Sequence, residues 1–168
     1  VLDVLAVTSA FRAAFYRQQG FTPVLAPLGY HPVYGEDLGL NRDIPVAFLG
    51  NLDSPRRKRL LPPILRALQQ HGIQVDIKAG LYGAERTRYL NRVQVMLNVL
   101  RAPQDYVGQR FLLGAANKAL VVTEPFSNKE AFKADEHLVV ASLNSIVDAI
   151  LHHVANPEER RLITENAY

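Results

Sequence analysis

RFLLGAANKALVVTEPFSNKEAFKADE, residues 110–136, is the stretch whose reading decides the fold. A helix rich in small residues (Gly114, Ala115, Ala116) runs into a short, wholly apolar strand at residues 119–122. The strand ends in Thr123-Glu124, and Lys129 and further carboxylates follow in the next loop. In an open α/β sheet, ligands bind outside the carboxyl ends of the strands. A charged segment placed directly after an apolar strand therefore marks a candidate site.

Outward from this stretch, strand and helix patterns alternate. Toward the C-terminus a short strand at 138–140 is followed by a helix that Ser142 is expected to cap. Its apolar positions (Leu143, Ile146, Val147, Ile150, Leu151, Val154) form a stripe of 3.6-residue period. Asn156-Pro157-Glu158-Glu159 then starts a last helix with a cap residue, a proline at its first position and acids in its first turn. Toward the N-terminus lie strands at 93–99, 73–77 and 45–49, helices at 106–117 and 85–91, and loops at 80–83 and 50–51. Ser54-Pro55 suits a helix start, but Pro62-Pro63 should break it. The expectation is a basic turn, then a helix over 63–70. Before residue 29 come strands at 4–8 and 23–26 and a helix at 11–19, stopped by Gly20.

This alternation predicts an α/β fold with a parallel sheet and helices on both faces. Residues 29–43, with Gly29, Gly35, Pro32 and the aromatics Tyr30 and Tyr34, read as the one domain boundary. Residues 1–43 would be the tail of one domain and a linker, and residues 44–168 a second α/β domain. The chain opens at Val1 inside a strand pattern and stops at Tyr168 inside a helix pattern, so a longer parent protein is expected.

Composition narrows the function classes. The 168 residues are enough for one real core, and 48% apolar content fits a globular protein. A net charge of +3 suits an anionic ligand without demanding nucleic acid. There is no cysteine, hence no disulfide framework or thiolate metal site. No apolar run reaches transmembrane length, and no signal core follows a basic start. The expected location is cytoplasmic. Dinucleotide, P-loop and nucleophile-elbow fingerprints are missing. His152 and His153 are neighbours on a helix, about 100° apart, and are read as surface residues that do not share a metal.

Three positive features remain. Phe48-Leu49-Gly50-Asn51 is followed by Arg56-Arg57-Lys58-Arg59. A glycine loop after a strand, backbone amides at a helix start and guanidinium groups suit a diphosphate. A solvated basic turn explains the same residues. Lys78-Ala79-Gly80 follows the strand at 73–77, as a ligand approach or an ordinary turn. Glu124, Glu130, Asp135 and Glu136 supply carboxylates that accept hydrogen bonds from sugar hydroxyls, or sit in a surface loop. Glu124 leads this set because it directly follows a buried strand.

In these segments the chain resembles the C-terminal, donor-binding domain of glycosyltransferases of the GT-B fold. The similarity extends over VAFLGNLDSPRR (46–57), ERTRYLNRVQVMLNV (85–99), RFLLGAANKALVVTEPF (110–126), EAFKADEHLVV (130–140) and NPEERRLITENAY (156–168). VLAPLGYHPVY (24–34) is similar to the segment crossing between the two halves. The nearest group is the glycosyltransferase-like family that includes spore-maturation-type proteins. The resemblance implies a Rossmann-like sheet, a nucleotide-sugar donor of the UDP-sugar kind, an unknown acceptor, and no metal or other cofactor. It implies that Arg56 and Glu124 serve catalysis. Gly50 and Asn51 would lie at the diphosphate, Lys78 and Gly80 beside the base, and Arg110 at the start of a helix facing the donor. Thr123 and Glu130 would approach sugar or ribose.

Two departures from the family pattern matter. Relatives carry Arg-x-Phe-Glu-Ala-x-Ala-x-Gly where this chain has residues 110–118. Leu113 replaces the glutamate that would hold the ribose, and Lys118 replaces the glycine. Leucine accepts no hydroxyl hydrogen bond, and losing such a contact costs about 1–3 kcal/mol. A degenerate, non-catalytic binding domain is therefore the alternative to a working donor half. A regulatory phosphoacceptor domain fits less well, because the first strands lack acidic ends.

Overall fold

The computed structural model describes residues 3–103, 108–127 and 132–168. In chain order the elements are β1 (Ala6–Val7), α1 (Ala10–Gln18), β2 (Val24–Leu25), a 3-10 turn (Pro32–Tyr34), β3 (Ile44–Leu49), α2 (Pro55–Gln70), β4 (Val75–Lys78) and α3 (Gly83–Asn91). Then come β5 (Val93–Asn98), α4 (Gly108–Ala116), β6 (Leu120–Thr123), β7 (Val139–Val140), α5 (Ile146–Ala155) and α6 (Pro157–Ala167).

The main sheet has five strands in the order β4-β3-β5-β6-β7. Every pair is parallel, with Val46 opposite both Val75 and Val95, and Val122 opposite Val139. β1 and β2 pair parallel in a separate two-stranded sheet. The α/β reading of the sequence is therefore correct, helices on both faces included. Parallel strands covered on both sides read as continuous apolar runs, and β6 is buried at all four of its positions. Period-2 alternation splits the core into two faces. Ala47, Leu49 and Met96 pack with Phe111, Leu113 and Phe126 on one side. Val46, Phe48, Val95 and Leu97 pack with Leu61, Leu68, Ile146 and Ile150 on the other.

Helix α4 lies unusually close to its sheet. A Cβ on Gly114 would come within 2.3 Å of a Val121 methyl and 2.9 Å of the Ala119 carbonyl oxygen. The small-residue run Gly114-Ala115-Ala116 is thus a packing requirement of the strand that follows it.

Three local expectations need correction. Helix α2 is continuous from Pro55, with Pro62 and Pro63 inside it. The prolines remove the bonds to the carbonyls of Lys58 and Arg59, which are exposed residues open to water. Burial of Leu61, Ile64 and Leu68, about 2 kcal/mol each, holds the helix on the sheet around them. Ser142 does not cap α5. It opens a turn whose carbonyl accepts from Ser145 N at 3.0 Å, and the helix starts at Ile146. His153 is buried at 5% exposure, because the first turn of α6 folds back over the last turn of α5. Arg160 of α6 fixes that fold by donating to the carbonyls of His153 and Val154. The expected start of the helix at Tyr106 and the loop residue Lys129 lie outside the described residues.

The segment before β3 is fastened to the opposite edge of the sheet from the strands' carboxyl ends. Asn91 accepts from Leu38 N at 2.6 Å and donates to Glu36 O at 2.9 Å. Asn117 donates to Tyr34 O at 2.9 Å, and the two amides bond to each other at 3.0 Å. Arg42 donates to Val93 O at 2.7 Å and Asn117 O at 2.8 Å.

Candidate donor-binding site

Strand order reverses between β3 and β5, so the crevice at their carboxyl ends is the topological switch point. The residues that emerge there are Gly50 and Asn51 after β3, Val99 to Arg101 after β5, and Glu124 after β6. The first turn of α2 and the start of α4 close the sides.

Four arginines converge on this crevice. Arg57 is buried at 3% and donates to Val99 O at 2.8 Å and Asn51 O at 2.9 Å. It occupies the same helical stripe as Leu61, Ile64 and Leu68. Arg110, in the first turn of α4, donates to Leu49 O and lies 5.2 Å from the Phe48 ring centre. Arg57 lies 5.4 Å from the same ring centre. Burial, then the like charges of Arg57 and Arg101, push the Arg110 guanidinium down to about 9. Burial and then Arg101 lower Arg57 in the same sense. Among the described residues, no carboxylate pairs with Arg110 or Arg57.

Arg56 behaves differently. It grips both oxygens of Glu124, one bond measuring 2.6 Å, and donates to Leu100 O at 3.0 Å. Glu124 also accepts from Leu100 N at 2.7 Å and is 4% exposed. This bidentate pair ties the start of α2 to the ends of β5 and β6. It leaves Arg56 without a free charge for a ligand and Glu124 without a free oxygen edge.

Gly50 makes room for the cluster. Its φ is 142°, and a Cβ there would sit 2.3 Å from an Arg110 Nη. The sequence-based sites therefore divide. Gly50, Asn51, Arg56, Arg110 and Glu124 meet at the switch point. Lys78 and Gly80 flank it beyond the outer strand β4, where Lys78 pairs with Asp76 at 3.5 Å and Gly80 turns at φ 73° in open space. Thr123 is fully buried: its hydroxyl accepts from Asn98 Nδ2 at 2.9 Å and donates to Glu124 O at 3.1 Å. It braces the strand ends instead of facing sugar, which corrects that expectation. Glu130 lies outside the described residues.

The departures from the family pattern have physical counterparts. Leu113 is 6% exposed and packs in the core. Lys118 holds the left-handed backbone, φ 50°, of the glycine it replaces. Ion pairs to Asp37 at 3.1 Å and Glu165 at 2.9 Å, with the Tyr168 ring 4.7 Å away, keep it there.

Sequence reasoning placed Arg57 only within a basic run, not on a buried helical stripe, and missed Arg101. Arg57 was detectable as a charged residue on an apolar helical stripe, once α2 is taken as unbroken. Arg101 is exposed and carries no pattern signal. A pocket of about 370 Å³ also lies between residues 37–42 and α6, but its charges pair internally, Lys118 with Asp37 and Glu165.

A profile of glycosyl transferase-like proteins matches residues 39–168. The chain belongs to the glycosyl transferase-like family. No curated protein sequence matches it. Among solved structures it is similar to TarM, at TM-score 0.76 and 10% identity, over 99% of this chain and 39% of that one. It is similar to HepE from Anabaena, solved with UDP-glucose, at TM-score 0.72 and 12% identity, over 98% of this chain and 57% of that one. It is also similar to the C-terminal domain of LpcC, a glycosyl transferase group 1 family protein from Francisella tularensis. That likeness has TM-score 0.55 and 12% identity, over 84% of this chain and 95% of that one. The fold of this glycosyl transferase-like chain is thus that of a GT-B C-terminal domain, and the chain spans 39–57% of the length of TarM and HepE. Among the described residues, no helix is long and apolar enough to cross a membrane.

Proposed function

We propose that this domain is the donor half of a glycosyltransferase and holds a nucleoside-diphosphate sugar by its diphosphate at the β3–β5 switch point. The observation that carries this reading is Arg110, a half-buried cation beside two further arginines and unpaired with any described carboxylate. Keeping like charges together out of water is costly, and a dianionic diphosphate removes that cost. The dipoles of α2 and α4 add positive potential at the same place. As the sugar leaves through an oxocarbenium-like state, charge grows on the diphosphate, and preset arginines stabilise it without rearranging. In this account Arg110 meets the ligand, Arg57 adds positive charge from beneath it, and Arg56 acts through Glu124 as a positioning residue. Gly50 and Asn51 supply backbone approach.

HepE was solved with UDP-glucose and a TarM variant with UDP, which favours a uridine donor and a glycan acceptor for this chain as well. Residues 1–43 fit the edge of a partner domain. Phe11, Phe15 and Phe21 are more than half exposed on the small β1–β2 unit. A cytoplasmic protein acting without a metal in its donor cleft is the matching proposal for location and chemistry. The second reading, a binding domain without transfer, is favoured by Leu113 alone: where the family places a glutamate for ribose, this chain has a core side chain.

Calorimetric titration of the chain with UDP, GDP and ADP, beside the free nucleosides, tests the proposal. Saturable binding of one diphosphate, at least tenfold tighter than its nucleoside, is expected. Equal binding of diphosphate and nucleoside would remove the arginine cluster from the account. Turnover of a UDP-sugar by the full-length protein separates the two readings.

A further inference from the structure

Far from the donor crevice, the joint between α5 and α6 brings His152, His153 and Glu159 together. One ligating atom from each lies within 4.8 Å of the other two. In a parallel sheet, the helix after β7 runs back against the strands, so this joint sits at the edge opposite the crevice. The two imidazole rings stand edge to face, 4.9 Å apart. His152 Nε2 and a Glu159 oxygen are 2.6 Å apart.

A second, independent observation points to a ligand. His153 is buried at 5% exposure, yet its Nδ1 has no hydrogen-bond partner. A buried, unpartnered nitrogen costs about 1–3 kcal/mol, and native proteins leave few of them. Its backbone is not at fault, since the His153 carbonyl is held by Arg160.

We propose that His152, His153 and Glu159 form a binding site for a borderline divalent cation of the Zn2+ type. Two imidazoles and one carboxylate are a donor set that suits zinc, with water in the fourth position on the open side. Ligand atoms around zinc stand roughly 3.3 Å apart, from bonds of about 2.0–2.2 Å in a tetrahedron. His152 and Glu159 are about half exposed, so they can close on a cation beside the fixed His153. Hard cations such as Mg2+ prefer oxygen donors and are excluded by the two imidazoles. The ion joins the last turn of α5 to the first turn of α6. Its role is therefore a staple of that helix pair, separate from donor chemistry, and it does not depend on the glycosyltransferase proposal.

The test is Zn2+ titration of the full chain after chelator dialysis, by calorimetry and thermal melting, beside the double variant His152→Ala/Glu159→Gln. Both substituted side chains are exposed, so the metal-free variant should fold and melt as the parent does. The expected result is one equivalent of Zn2+ per chain and a Tm gain of roughly 5 °C at a hundredfold excess over Kd. In the variant, affinity should fall by about a hundredfold or more and the Tm gain should vanish. No saturable uptake, or uptake unchanged in the double variant and so owed to His31, His71 or His137, would overturn the proposal.

Discussion

Arg42 and Arg110 are both half-buried guanidinium groups, one at each edge of the same sheet. Arg42 is answered. It donates to the carbonyls of Val93 and Asn117, and the charge of Asp37 opposes the downward push of burial. Around it, Asn91, Asn117 and Lys118 complete a closed set of bonds that fastens residues 34–42 to the domain. Arg110 has one carbonyl, an aromatic ring and two like charges. The first edge is built for stability, and the second keeps a charge waiting. The unpaired charge of Arg110 thus marks the edge where we propose that a diphosphate binds.

Substitutions at the two edges should therefore separate stability from binding. The largest effect is expected within the one strong ion pair of the site. Glu124→Gln leaves the largely covered Arg56 unpaired beside other cations and should lower unfolding free energy by about 3–5 kcal/mol in urea. A loss below about 1 kcal/mol would show that the pair is not a strut. Arg110→Met should do the opposite: stability unchanged or slightly higher, because a half-buried unpaired charge is gone, while diphosphate affinity falls about 10–100-fold. At the other edge, Asn117→Ala should cost about 1–3 kcal/mol and leave diphosphate affinity as it was. Weakened affinity there would mean the edges are coupled.

A pH titration sharpens the contrast. The Arg110 cation is lowered to about 9 in the free domain, and a bound diphosphate favours its protonated form. Affinity should hold from pH 7 to 8 and fall by about tenfold per unit above pH 9. That dependence should vanish in Arg110→Met. The smallest effect is expected at Lys118→Gly. Relief of the left-handed backbone, about 1 kcal/mol, nearly cancels the loss of two ion pairs worth about 0.2–1 kcal/mol each. A melting temperature within a few degrees of the parent checks this.

The sheet was legible in the sequence because its strands are buried on both faces and leave apolar runs that propensity alone can find. Helix α2 was not, because Pro62-Pro63 carries a strong local signal and the burial of Leu61, Ile64 and Leu68 that outweighs it is a tertiary fact. The error propagated: with the helix cut, Arg57 fell in a basic turn and its place on the apolar stripe went unseen. At the site, the position of Glu124 after β6 was readable, but not its inward turn onto Arg56. Thr123 was readable as a strand end, but not its burial against Asn98. The amides of Asn91 and Asn117 left no trace, since their backbone partners lie up to 83 residues away.

The most direct test is a calorimetric titration of UDP into the parent domain and Arg110→Met at pH 7.5 and low salt, with urea unfolding of both. The account expects saturable binding in the parent, at least tenfold weaker binding in the variant, and equal or greater stability of the variant. Undiminished UDP affinity in a stable Arg110→Met protein would contradict it.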